Sequence, residues 1–147
     1  MVVNMASRKE ICDKALEYLD TPFIHQGRLK GVGVDCAGLV VGVAKELNLY
    51  NEEVSDLKGY SRIPDGETLY QTLLNGTSKE KSMKDLKEGD VLLFRFTRYP
   101  QHVGIYMPNN KLIHSYEGVG KVVIHSLDDK WKNRIISVFE YFNVIEE

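Results

Sequence analysis

The chain has 147 residues, enough for one domain with a sizeable core. At 43% hydrophobic, 27% charged and a net charge of −2, its composition is that of an ordinary globular protein. No basic excess or lysine-arginine block points to nucleic acid or an anionic membrane, and no apolar run is long enough to span a bilayer.

The opening "MVVNMASRKE" lacks the apolar stretch of an export signal, so synthesis and folding in the cytoplasm are expected. In "SRKEICDKALEYLD", Ile11, Cys12, Ala15, Leu16 and Leu19 recur at helical spacing, and Ser7 with Glu10 has the form of a capping box. This predicts a first helix over about residues 7 to 20, stopping before Thr21 and Pro22. Cys12 lies on its apolar stripe and reads as a core residue, and a structural disulfide is not expected without export. A second helix is predicted over about 35 to 47, apolar on most faces (Leu39, Val40, Val41, Val43, Ala44, Leu47) and therefore central. A polar connector, "NEEVSDLKGYSRIPDG", then leads to a short helix near 67 to 75 that Gly76 ends. The connector reads either as a functional loop or as a solvated excursion.

From residue 90 the hydrophobic period changes. "DVLLFRF", "HVGIYM", "KLIHSYE", "KVVIHSL" and "RIISVFEYFNVI" read as strands separated by turn residues. No helical pattern separates them, which favours an antiparallel sheet of about five strands with the N-terminal helices packed on it. Repeats, low-complexity tracts and linkers are absent. The expectation is one α+β domain over residues 1–147.

Chemistry concentrates in "GVGVDCAGLV". Asp35 suits the N-cap of the second helix, and Cys36 follows in its first turn. Free backbone N–H groups and the helix dipole favour an anion there, which lowers a thiol pKa to between about 3.5 and 7.5 in documented cases. The same N–H groups suit the oxyanion of a tetrahedral intermediate. On this placement alone, Cys36 is either a nucleophile or a small packed residue.

A nucleophile needs a base, and there are four histidines. His102 opens one strand and His114 lies in the next. A three-residue loop at Pro108, Asn109 and Asn110 would pair Met107 with Lys111 and Gly104 with His114. The two histidines would then be diagonal neighbours on one face, with Gly104 leaving room between them. A loop one residue longer or shorter, without a bulge, would put them on opposite faces. Two locally satisfied histidines on unrelated strands are the alternative. His25 in "TPFIHQGR" either lines a substrate cleft or is a loop histidine at a helix end, and His125 in "VVIHSL" reads as an ordinary strand residue. A zinc site from Cys36, His102 and His114 lacks any close-spaced ligand pair.

"VDCAGLV", "GDVLLF", "HVGIY" and "LIHSYE", in that order, resemble the NlpC-type cell-wall peptidases, which have a compact papain-like fold. The likeness runs from about Thr21 to Phe142. More narrowly, "TPFIHQGRLKGVGVDCAGLV" and "LIHSYEGVG" resemble the small stand-alone members of phage tails and gene transfer agents, thought to open the host wall during DNA delivery. The resemblance implies Cys36 as nucleophile, His102 as general base and acid, and His114 as the orienting residue. It implies hydrolysis of an amide in the peptidoglycan stem peptide, often after D-glutamate, through a thioester and without metal or organic cofactor. Phe23, His25, Asp35 and Ala37 are the further residues expected near substrate or oxyanion. Two of these depart from the pattern: Ala37 replaces a serine, and Phe23 stands where many members have a tyrosine.

Arg28, Lys30 and Arg62 are candidate donors to substrate carboxylates, against the reading of solvated loop charges. Two other functions remain at this point. One is a structural tail-tip protein with little activity; the other is an acyltransferase or amidase on another substrate. With the substrate outside the cytoplasm, delivery by a phage-like tail or by lysis is expected.

Overall fold

The computed structural model describes residues 5–49 and 78–145. The helix expected near 67 to 75, its connector and Arg62 lie outside them. Ser7 caps helix α1 (Arg8–Leu16): its hydroxyl accepts from the Glu10 N–H, and the Glu10 carboxylate accepts from the Ser7 N–H, both at 3.1 Å. The helix ends short of residue 20. Glu17, Tyr18 and Leu19 donate to carbonyls three residues back, and Asp20 follows at a φ of 67°. This tightened turn rotates Tyr18 into the core and leaves Leu16 and Leu19 39% and 37% exposed, contrary to the helical stripe. Cys12 is buried and unpaired, as expected.

Strands β2 (Arg28–Leu29) and β3 (Gly33–Val34) form a small hairpin that delivers the chain to α2 (Cys36–Glu46). The apolar character of α2 is met on the main sheet. Leu39, Val40, Val43 and Ala44 pack with Val91, Leu93, Val103, Ile105, Ile113 and Val122. The opposite sheet face carries Leu92, Phe94, Leu112 and Val138 under Leu127 and Trp131. Both faces of the central strand are therefore covered, which is why "VLLF" reads as a continuous apolar run.

The main sheet has six strands, one more than expected. In spatial order they are β4 (Ser78–Lys81), β9 (Ile135–Tyr141), β5 (Val91–Arg95), β6 (Pro100–Met107), β7 (Lys111–Tyr116) and β8 (Lys121–Ser126). All neighbours are antiparallel. The extra strand, "SKEK", has no apolar alternation to announce it, and its charges suit a sheet edge. "RIISVFEYFNVI" is not one strand. Asn143 turns at a φ of 61°, and β10 (Val144–Ile145) leaves to pair in parallel with β1 (Ala6–Ser7). A one-turn helix, Asp129–Lys132, capped by Asp128, also carried no sequence signal.

A buried ion-pair network joins α1 to the sheet. Arg8 holds the fully buried Asp90 at 2.8 Å and also meets Glu140, while Lys81 holds the other Asp90 oxygen at 2.6 Å. Arg8→Ala removes one of two cations from a desolvated carboxylate. Urea unfolding at neutral pH is expected to show a loss of about 2 kcal/mol.

Candidate active site

The site begins with Asp35, which is 3% exposed. One carboxylate oxygen accepts from the Gly38 N–H at 2.8 Å and from Arg28 at 2.9 Å, and the other accepts from the Gln26 N–H at 2.9 Å. The aspartate thus caps α2 and ties the preceding loop to it. The approach is close: a β-carbon on Gly38 would stand 2.1 Å from the Gly27 carbonyl oxygen. Arg28 is engaged in this packing, and Lys30 bonds Glu17 and Glu46 at 2.7 and 2.8 Å. Both are held by carboxylates of the chain itself.

Cys36 is half-buried in the first turn of α2. Its sulfur lies against the N–H of Ala37 and that of Val103, the residue after His102. The paired positions of β6 and β7 run from Met107–Lys111 to Ile105–Ile113 and stop there. The strand before Cys36 approaches where they diverge, held by the Ser115 hydroxyl donating to the Val34 carbonyl at 2.7 Å. Burial pushes the Cys36 thiol up to about 12, with the Asp35 charge adding, while the two N–H groups and Arg28 act the other way. The expected lowering by the helix terminus is therefore overturned. Desolvation of the thiolate outweighs the dipole, and the resting thiol is protonated.

The histidines follow the register argument. Met107 pairs with Lys111 across the loop Pro108 to Asn110, and Asn109 and Asn110 take left-handed φ values of 64° and 57°. His102 Nε2 lies 2.6 Å from His114 Nδ1. Continued one step, this register sets Gly104 opposite His114. A β-carbon there would meet a Leu112 methyl at 2.5 Å, the Ile113 carbonyl oxygen at 3.0 Å and the His114 β-carbon at 3.1 Å.

The chain of rings does not stop at His114. Its Nε2 lies 2.8 Å from His125 Nε2, and His125 Nδ1 lies 2.9 Å from the Ser126 carbonyl. His125 is thus not the ordinary strand residue it was read as. The signal was present, because the four-residue loop "EGVG" pairs Tyr116 with Lys121 and His114 with Val123. That makes His125 the next diagonal neighbour on the same face.

Aromatic rings enclose the chain of histidines. Phe96 stacks on His102 at 5.2 Å and Tyr116 on His114 at 5.3 Å, while Trp131 stands edge-on to His114 at 5.0 Å. Nothing in "DDKWKNR" marked Trp131 for this place. Burial holds His102 well below the ordinary imidazole range and brings His114 down to about 3, with the neighbouring imidazoles adding in both cases. At neutral pH both are uncharged. The zinc alternative has few donors left, since both nitrogens of His114 face other imidazoles.

Phe23 is half-buried, donates its N–H to the Gly120 carbonyl at 2.8 Å and bridges to Val34. The Ala37 side chain is buried, 3% exposed. His25 occupies a turn closed by the Gly27 N–H and the Ile24 carbonyl at 2.8 Å.

Residues 20–140 match the NlpC/P60 family. The chain belongs to that family. Over 134 residues this NlpC/P60 protein is 26% identical to murein DD-endopeptidase MepS/murein LD-carboxypeptidase of Escherichia coli K12, covering 91% of this chain and 63% of the relative. It therefore spans less than two thirds of that relative's length. An NlpC/P60 family protein from Bacillus cereus ATCC 10987 shares its fold at a TM-score of 0.69 and 19% identity, over 94% of this chain and 41% of that one. The NlpC/p60 domain of the peptidoglycan hydrolase SagA does so at a TM-score of 0.62 and 19% identity, over 92% of this chain and 99% of that one. The papain-like α+β expectation holds, with six strands in place of about five.

Two outcomes are expected of this site. Below about pH 6.5 the unfolded chain binds protons that the buried imidazoles refuse, so stability present above that pH is lost as it falls toward about 3. Urea unfolding at stepped pH is expected to show a slope of up to about 1.4 kcal/mol per pH unit for each imidazole, and His114→Asn a shallower one. Gly104→Ala pushes Leu112 and His114 away from β6. Thermal unfolding should report a loss of about 1–3 kcal/mol, and a crystal structure a longer contact between His102 and His114.

Proposed function

We propose that this NlpC/P60 protein is a cysteine peptidase that hydrolyses an amide bond of the peptidoglycan stem peptide, with Cys36, His102 and His114 as its catalytic machinery. The observation that carries the reading is the 2.6 Å contact between His102 and His114, with the Cys36 sulfur against the N–H of Val103, the residue that follows His102. Family membership and the likeness to the murein endopeptidase support the substrate class.

A protonated thiol and a neutral imidazole call for general-base attack rather than a preformed ion pair. His102 Nδ1 takes the thiol proton as the sulfur adds to the substrate carbonyl. The N–H groups at the start of α2, Ala37 among them, hold the oxyanion, and each such donor is worth about 10²–10³ in rate. His102 then gives its proton to the leaving amine, and a thioester remains on Cys36. Water, deprotonated by His102, releases the acid and restores the thiol. The bond after D-glutamate, and delivery within a phage-like tail, are part of this proposal. They rest on the likeness of "TPFIHQGRLKGVGVDCAGLV" and "LIHSYEGVG" to the small phage-tail members.

Mass spectrometry of defined muropeptides incubated with the protein tests it, with Cys36→Ala in parallel. A fragment pair formed only by the intact thiol is expected, and it identifies the bond. His114→Ala should lower kcat by roughly a hundredfold or more. Muropeptides left whole by the unaltered protein would overturn the substrate assignment.

A further inference from the structure

A carbonyl oxygen only accepts hydrogen bonds, so the contact of His125 Nδ1 with the Ser126 carbonyl puts a proton on that nitrogen. A neutral imidazole has one N–H. His125 Nε2 therefore carries a lone pair and accepts from His114 Nε2. His114 in turn accepts at Nδ1 from His102 Nε2. His102 is left with its lone pair on Nδ1, the nitrogen that does not face His114. Neither His102 nor His114 selects this tautomer by itself, since among the described residues each is bonded only to other imidazoles. The choice is made at the Ser126 carbonyl, the one partner with a fixed role.

We propose that His125 is a positioning residue that sets the tautomers of all three rings, and that its protonation silences His102 as a base. This rests on the reading of Cys36, His102 and His114 given above. In acid, a hydronium ion in the cleft gives its proton to His102 Nδ1. The Nε2 proton of His102 passes to His114 Nδ1, and the Nε2 proton of His114 passes to His125 Nε2. Three N–H bonds form, two N–H bonds and one O–H bond break, and the positive charge moves from water to His125. His102 then carries its proton on the nitrogen that must accept one from the thiol.

The charge settles on His125 because of where that ring lies. His102 is 4% exposed and His114 fully buried, whereas His125 is half-buried at the end of the chain of rings. The groups facing it are His114 from β7, His102 one ring further on β6, and the Trp131 ring at 5.5 Å, which carries the Arg134 guanidinium at 5.1 Å. Both of its nitrogens are occupied, and among the described residues no carboxylate hydrogen-bonds to the ring.

The test is nitrogen NMR of histidine-labelled protein from about pH 8 to 5, the range in which histidines generally change charge, alongside pH profiles of muropeptide cleavage. At the upper end, His102 and His114 should carry their protons on Nε2 and His125 on Nδ1. On acidification the His102 proton should appear at Nδ1 in step with the charging of His125. His125→Gln keeps an acceptor for His114 but takes no proton. In it, His102 should stay protonated at Nε2, and the acid limb of kcat/KM should move down by about one pH unit or more. His125→Leu offers no acceptor, and its kcat should fall at least about tenfold with KM unchanged. A His114 proton on Nδ1 near pH 8, or an acid limb unmoved in His125→Gln, would overturn the proposal. If the unaltered protein cleaves no muropeptide, the peptidase reading fails, while the tautomers, read without substrate, still decide the role of His125.

Discussion

A hairpin loop of three residues, Pro108 to Asn110, decides which face of the sheet His102 and His114 share. Side chains alternate along a strand, so a shift of one residue would send one imidazole to the far side. Asn109 and Asn110 make the loop possible by accepting left-handed backbone, and Gly104 lets the strands close where a side chain would stand between them. The next hairpin repeats the logic with four residues and brings in His125. The site is a consequence of register.

Around that line of rings the protein supplies a dry aromatic wall. Phe96, Tyr116 and Trp131 exclude water from His102 and His114, and the same exclusion keeps both imidazoles uncharged. The helix terminus acts on Cys36 in the opposite sense to burial, and burial prevails. Thiol and imidazole are thereby both neutral at rest. A neutral base works only with its lone pair turned toward the proton it must take. In the proposed mechanism tautomer, more than charge, is then what the surrounding groups have to control, and the hydrogen-bonded row of imidazoles is the proposed route of that control.

Asp35 does for Cys36 what the hairpins do for the histidines. One buried carboxylate caps α2, takes the Gln26 N–H and neutralises Arg28, so the loop and the helix start move as a unit. Ser115 ties the adjoining strand to β7. The cysteine and the histidines thus ride on elements cross-linked by buried polar groups, and these hold the geometry that hydrophobic packing alone would leave loose.

Much of this was written in local pattern. The capping box at Ser7, the cap at Asp35, the apolar second helix, the change of period after residue 90 and the register of the first histidine hairpin are short-range features, and each recurs in the fold. What depended on neighbours distant in sequence was not legible. Leu16 and Leu19 stayed outside because the helix tightened early, "SKEK" became a strand only because β9 offered it an edge, and Trp131 reached the histidines from a segment without pattern. Cys36 shows the division most clearly. Its place at a helix start is local, so the sequence determined it by itself. Its protonation is set by how much water the folded chain removes, and only the tertiary structure decided that.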